Sequence, residues 1–117
     1  MSNEEYRRAK RKQVAERIDV IDTMLETPIG LIGNISETGM MLFTTRHLAD
    51  DALFQLRFTL TDAGGNRRDI SIGAHQLWSE PASSPGQFWV GFRFIDISPD
   101  DLAVLRVWID LPGGQYV

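Results

Sequence analysis

Short segments of alternating apolar and polar residues, separated by turn-forming residues, make up most of this chain. The clearest covers residues 52–60, where every second position from Phe54 to Leu60 is apolar. A glycine-containing turn at residues 61–66 leads to a second such segment at 67–78. Alternation with a period of two is typical of half-buried β-strands, and a short turn between two of them predicts a hairpin. The chain is therefore predicted to consist mainly of antiparallel strands.

Four further segments complete a set of six predicted strands. The first begins near Val14 or Glu16, where the residues also fit a helix start, and Thr27-Pro28 is expected to end it because proline lacks a ladder donor. The other three cover residues 29–35, 40–44 and 88–94. Six short strands with turns between them fit either a closed barrel or a sandwich, and the pattern alone does not separate these two architectures.

The hydrophobic period changes after the last predicted strand. Ser98-Pro99-Asp100-Asp101 combines a serine cap, a proline at the first helical position and acidic residues in the first turn. Leu105 and Ile109 then lie on one apolar stripe at helical spacing, and Pro112 with the two glycines after it is expected to end the helix. We predict an amphipathic helix over residues 99–111.

Composition narrows the class of protein. A chain of 117 residues with 43% hydrophobic content is predicted to form one domain with a buried core. Cysteine is absent, which excludes disulfides and thiolate metal sites. Since no apolar run approaches the roughly 20 residues of a membrane span and no signal peptide opens the chain, we expect a soluble, cytoplasmic protein.

Charge is distributed unevenly along the chain. Residues 1–17 carry six Lys or Arg and three Glu, whereas residues 18–117 carry six Lys or Arg and thirteen acidic residues, for a net charge of -4. An acidic body disfavours binding of a nucleic-acid polymer. A local positive segment on such a body suits a small anionic ligand.

Two motifs are candidates for the two halves of one anion site. Arg7-Arg8-Ala9-Lys10-Arg11-Lys12 supplies guanidinium forks, which match phosphate oxygens and stack on flat rings. Taken alone, this basic segment also fits a solvated leader. Asn34-Ile35-Ser36-Glu37-Thr38-Gly39 supplies an amide, a hydroxyl and a glycine in a tight connection between two strands. Gly39 is expected to adopt a positive φ there.

Arg-x-x-x-Arg followed by Asn/Asp-x-Ser-x-x-Gly resembles the PilZ domain, a bacterial receptor for cyclic di-GMP. Val90-Gly91-Phe92-Arg93-Phe94 is similar to the late strand of that family, and the helix start is similar to its C-terminal cap, so the resemblance covers nearly the whole chain. It implies an all-β fold, a six-stranded antiparallel β-barrel over residues 14–117 that includes the C-terminal helix. A flexible basic arm over residues 1–13 would form part of the ligand site.

The resemblance also implies which residues contact cyclic di-GMP, which would be clasped between the arm and the barrel face. Arg7 and Arg11 would bind phosphates and guanine edges, with Arg8 assisting them. Trp78 ends a predicted strand, where its indole would either stack on a base or pack in the core or at the rim of the barrel. The remaining implied contacts, to the other purine and its sugar, are Asn34, Ser36 and Gly39.

The basic segment allows two registers of the arginine motif. Arg7 and Arg11 fit Arg-x-x-x-Arg, but Tyr6 then stands where the family often has another arginine. If Arg8 and Lys12 are taken as the motif instead, Arg7 supplies the preceding arginine. The second motif position is then a lysine, which cannot reproduce the bidentate recognition of guanine. We take Arg7 and Arg11 as the functional register. Both a single ligand and an intercalated pair of ligands fit the motif.

The implied function is that of a receptor and adaptor, not of an enzyme. Its arm would order on ligand binding and signal to an unidentified protein effector in motility, exopolysaccharide or virulence control. We expect a monomer or a ligand-dependent dimer. We also expect no metal and no cofactor, because the sequence contains no catalytic or metal-binding signature. The alternative is an adaptor that binds a protein partner without any ligand. Some members of the family that act in type IV pilus assembly are similar to such an adaptor.

Overall fold

The computed structural model describes residues 9–112 and 115–116. The predictions for Arg7 and Arg8 therefore lie outside the described residues. The elements in chain order are β1 (Lys12–Gln13), β2 (Asp19–Asp22), β3 (Thr27–Ile35), β4 (Gly39–Thr44), β5 (Leu53–Thr61), β6 (Arg67–Pro81), β7 (Phe88–Ile97), helix α1 (Pro99–Asp110) and β8 (Gln115–Tyr116).

Six of these strands close into an antiparallel barrel. Its strand order is β2-β5-β6-β7-β4-β3, and β3 pairs back with β2 to complete the ring. Closure gives every barrel strand two neighbours and removes the exposed edges that an open sheet would have. The predicted six-stranded antiparallel barrel with a C-terminal helix is confirmed, and the sandwich alternative is wrong.

The barrel interior is filled by alternate residues of each strand, as the period-two pattern predicts. Leu56 of β5 lies opposite Ile72 of β6, and Phe58 lies opposite Ile70, and all four side chains are buried. Helix α1 packs against this core through Leu105, Trp108 and Ile109. The cap is formed as expected, since the Ser98 hydroxyl accepts from the Asp101 amide at 3.1 Å. In the part of the chain that is described, no helix is long and apolar enough to span a bilayer.

The start of the barrel differs from the prediction. The first barrel strand begins at Asp19, not near residue 14 or 16, and Pro28 lies inside β3 and does not interrupt the sheet. Pro28 is tolerated because it is the second residue of the strand, next to a register shift between Val20 and Ile21. At such an irregular strand start, the missing N–H of proline costs little.

Two short strands were not predicted. β1 pairs with the end of β3, where Lys12 lies opposite Ile35 and Gln13 opposite Asn34, and β8 pairs with the other edge of β1. A two-residue strand has no periodicity to detect. The last residues of the predicted arm are therefore part of the sheet, directly beside the Asn-x-Ser-x-x-Gly motif.

Gln76 is a buried polar residue of the barrel whose side-chain amide atoms have no hydrogen-bond partner among the described residues. Replacing it with methionine keeps the length of the side chain and removes the unpaired polar atoms. We expect Gln76→Met to raise the free energy of unfolding by about 1–2 kcal/mol. Chemical denaturation measures this change, and an unchanged or lower stability would contradict the prediction.

Candidate nucleotide-binding site

The Asn-x-Ser-x-x-Gly motif forms the end of β3, a tight turn and the start of β4. The Ser36 amide donates to the Gly39 carbonyl at 2.8 Å, and the Phe94 amide of β7 donates to the Thr38 carbonyl at 2.8 Å. The Ser36 side chain is fully buried, and its hydroxyl accepts from the Thr38 amide at 3.2 Å. Ser36 therefore holds the shape of the turn from inside.

Gly39 is required by the close approach of two strands. Its φ is not positive, in contrast to those of Gly65 and Gly86, so the expected left-handed conformation is wrong. The reason is that β4 already begins at Gly39, where the backbone is extended. A Cβ atom at this position would lie 2.4 Å from the Phe92 carbonyl oxygen, so any side chain would force β4 away from β7.

Arg11 brings the arm into contact with this motif. Because β1 pairs with the end of β3, the Arg11 Nη1 atom donates to the Asn34 Oδ1 atom at 2.7 Å. Arg11 is half-buried, and burial lowers the pKa of its guanidinium, which nevertheless stays charged at neutral pH. Among the described residues, no carboxylate forms an ion pair with it. A partly desolvated cation without a counter-ion favours an anionic ligand.

Lys12 points to the opposite side of β1, as alternation along a strand requires. Its side chain is buried, and Nζ donates to the carbonyl oxygens of Trp108 at 2.9 Å and Leu111 at 3.0 Å. Nζ also lies 4.0 Å from the centroid of the Trp108 ring. Helix α1 has no basic residue in its own last turn, so Lys12 supplies the positive charge that stabilises this end of the helix.

A row of four residues crosses the outer face of the barrel beside Arg11. Asn34 lies opposite Met41 of β4, Met41 opposite Gly91 of β7, and Gly91 opposite Trp78 of β6. Three steps of about 4.8 Å make this row roughly 14 Å long. Trp78 is 42% exposed, and a Cβ atom on Gly91 would lie 2.3 Å from the indole, so the ring covers that glycine. Trp78 is thus on the same outer face as Asn34, not in the core.

Two further contributions to this region were missed by sequence reasoning. Arg93 is exposed on β7 and lies opposite Gly39 in the register. Its position two residues after Gly91 in a predicted strand was the available signal, since such residues share a face. Arg106 of α1 donates to the Glu37 carboxylate of the turn at 3.0 Å. No local sequence pattern predicts the contact between Arg106 and Glu37.

The assembled face combines guanidinium groups, an amide, a glycine turn and an indole within one small area. Such groups bind phosphates, hydrogen-bond to base edges and stack on purines. Among residues 9–112 and 115–116, no cluster of three side chains could hold a metal ion. The described residues thus offer groups for the non-covalent recognition of phosphates, base edges and flat rings.

Comparison with known proteins identifies the fold and the family of the chain. No curated protein matches the chain. The inhibitor of motility MotI/DgrA from Bacillus subtilis has a similar structure, with 15% identity, a TM-score of 0.71, and coverage of 93% of this chain and 50% of that one. The PilZ domain of YcgR from Escherichia coli, solved with c-di-GMP, has 14% identity, a TM-score of 0.62 and coverage of 87% of both chains.

At such low identities, the two structures show the shared fold alone, and this chain spans only half the length of the motility inhibitor. The family assignment comes from the sequence. The family model described as the PilZ domain matches residues 5–111, which include both motifs, the whole barrel and helix α1. This chain belongs to the PilZ domain family.

Proposed function

We propose that this PilZ domain is a receptor for cyclic di-GMP that signals to a protein partner in the control of motility. The contact that carries the proposal is the hydrogen bond between Arg11 and Asn34, because it joins the arginine motif to the Asn-x-Ser-x-x-Gly motif on one barrel face. Of the two similar structures, one is a PilZ domain with c-di-GMP and the other an inhibitor of motility. The first supports the choice of ligand, and the second supports the choice of pathway.

The described side chains support distinct roles toward the ligand. The Arg11 fork would bind a phosphate or a guanine edge, with Arg7 and Arg8 closing over the ligand from the arm. The exposed face of the Trp78 indole would stack on a guanine. Asn34 would contact the base and sugar beside Arg11. Ser36 and Gly39 would act mainly by fixing the turn that presents these groups.

The position of Lys12 supports Arg7 and Arg11 as the functional register. A lysine that replaces the second arginine would have to reach the outer face. The Lys12 ammonium instead binds two carbonyls at the end of α1, on the other side of β1. Arg11 faces Asn34, and this contact supports Arg11 as the second arginine of the motif.

Ligand binding would change the surface that the domain offers to an effector. The phosphates of the ligand would hold the cationic arm against the barrel, and the covered face would then carry both the arm and the dinucleotide. Ordering of a charged segment by ligand phosphates is a common switching mechanism. The effector would recognise this composite surface.

Calorimetric titration with cyclic di-GMP, with GTP as the control ligand, tests the proposal. We expect saturable heat with cyclic di-GMP and none with GTP, because only the cyclic dinucleotide can reach the arm, Asn34 and Trp78 together. The stoichiometry distinguishes one ligand from an intercalated pair. Absence of heat, together with an unchanged melting temperature at high ligand concentration, would refute the receptor proposal.

A ligand-independent adaptor is the second candidate, and the internal contacts of the turn favour it. The Ser36 hydroxyl is engaged within the turn, and Glu37 pairs with Arg106 of α1. The motif thus also has a structural role, which could preserve it without a ligand. This candidate is tested by a partner pull-down with and without cyclic di-GMP, in which it requires equal capture under both conditions.

A further inference from the structure

Arg93 lies at the centre of the face described above. It is the neighbour of Gly39 across β4 and β7, and it follows Gly91, which Trp78 covers, by two residues on the same side of β7. The rise per strand residue places its Cα about 7 Å from that of Gly91. Arg93 therefore lies next to the turn, through Gly39 across the strand, and next to the indole that covers Gly91, two residues along β7.

The surrounding acidic groups do not neutralise Arg93. In the part of the chain that the structure describes, no carboxylate forms an ion pair with it. Glu37 of the turn is paired with Arg106. His75, the neighbour of Arg93 on β6, is hydrogen-bonded to Asp51 at 2.5 Å. An exposed arginine without a counter-ion, on an outer face of an acidic domain, is available to a ligand.

Trp78 determines where a stacked base would lie relative to Arg93. The indole rests on Gly91, and a base would rest on the opposite face of the indole. The indole lies about 3.5 Å above the backbone of β7, and a stacked base would lie about 3.5 Å above the indole. The plane of that base would therefore be roughly 7 Å above β7. The stem of an arginine is long enough to carry its guanidinium to this height, which puts the edge of the stacked base within reach of Arg93.

We propose that Arg93 is a specificity-determining residue of this site, whose guanidinium donates to O6 and N7 of the guanine stacked on Trp78. The inference rests on the proposed function and extends it to the choice of base. Guanine presents two acceptors on this edge, whereas adenine presents one acceptor and one donor, which a guanidinium cannot match. The site would thereby select guanine over adenine from the barrel side, independently of the arm.

The test compares cyclic di-GMP with cyclic di-AMP as ligands of the wild-type protein and of Arg93→Gln. Loss of one bidentate guanine contact should weaken cyclic di-GMP binding roughly 10- to 100-fold. Cyclic di-AMP binding should change little, so that the preference for guanine falls. Arg93→Lys keeps the charge but not the fork and should behave like the glutamine variant.

Arg67→Gln is the matched control. It removes the same charge from an exposed position at the start of β6, whereas Trp78 lies near the end of that strand. The affinities for cyclic di-GMP and cyclic di-AMP should both stay unchanged. An equal loss for both ligands in Arg93→Gln would overturn the inference, since it would indicate a phosphate contact. Unchanged affinities in Arg93→Gln would also overturn it while leaving the receptor function intact. Failure of the wild-type protein to bind cyclic di-GMP would refute the proposed function itself.

Discussion

Replacing both Arg7 and Arg11 by alanine is expected to abolish measurable binding of cyclic di-GMP while leaving the fold intact. Each lost charge-assisted hydrogen bond costs about 1.5–3 kcal/mol, so two of them reduce the affinity by a factor of about 100 or more. Arg11 is also the residue that joins the arm to Asn34, at 2.7 Å. Calorimetric titration gives the affinity, and a thermal melt verifies that the barrel is folded.

A matched control for this experiment is available on β6. Arg67 and Arg68 are adjacent and exposed, and replacing both by alanine removes the same two charges far from the Asn-x-Ser-x-x-Gly turn. This variant should bind as the wild type does. If the Arg7 and Arg11 variant kept an affinity within threefold of the wild type, the arm would have no part in ligand binding.

Lys12→Met is expected to give the largest loss of stability among substitutions in the arm. Methionine retains the apolar stem but leaves the Trp108 and Leu111 carbonyls without the ammonium donor, and it removes the cation above the Trp108 ring. We expect the free energy of unfolding to fall by about 2–3 kcal/mol. Denaturant unfolding with a constant m-value would establish that the change is one of stability.

Lys10→Met is the control for this substitution. Its ammonium lies 3.2 Å from Asp110, and both side chains are mostly exposed. Surface ion pairs of this kind contribute about 0–1 kcal/mol, so the control should be nearly neutral. Equal effects of the two substitutions would contradict a special role for the buried lysine.

Because the pKa of Lys12 is shifted, the free energy of unfolding is expected to depend on pH, and the direction of the shift fixes the direction of that dependence. Burial lowers this pKa from its ordinary value of 10.5, although Glu16 and Asp110 oppose the shift. The folded protein therefore loses the proton at a lower pH than the unfolded chain. The neutral amine keeps two N–H donors for the Trp108 and Leu111 carbonyls and no longer carries the cost of burying a charge, so the free energy of unfolding rises as the pH increases toward 10.5. The stability difference between wild type and Lys12→Met should grow over this range, and a constant difference would contradict the assignment.

The elements that were predicted correctly are those with a local signature. Strand β5 alternates with a period of two, and its register with β6 buries Leu56 and Phe58 as that pattern requires. Helix α1 begins at a serine cap followed by proline, and both features act within one turn of the chain. Such signals depend on residues close in sequence, so they can be detected without knowing the partners in space.

The errors at the barrel start and at the turn have a common cause. Pro28 was expected to end a strand, and Gly39 to adopt a positive φ, because these are the average properties of the two residue types. The structure places Pro28 at an irregular strand start, and it extends Gly39 where the Phe92 carbonyl approaches closely. In both cases a neighbouring strand, which is distant in sequence, decides the conformation.

Most of the barrel strands, the helix and the two motifs of the candidate site can be recognised from the sequence, because their signals lie in residues close together in the chain. The side that each residue of the arm faces is set by contacts with residues distant in the chain. Arg11 reaches Asn34 and Lys12 reaches Trp108, contacts that span 23 and 96 residues of the chain. Because β1 has two residues and no periodicity, its orientation is set by pairing with β3 and β8, and these partners are assembled only when the barrel is closed.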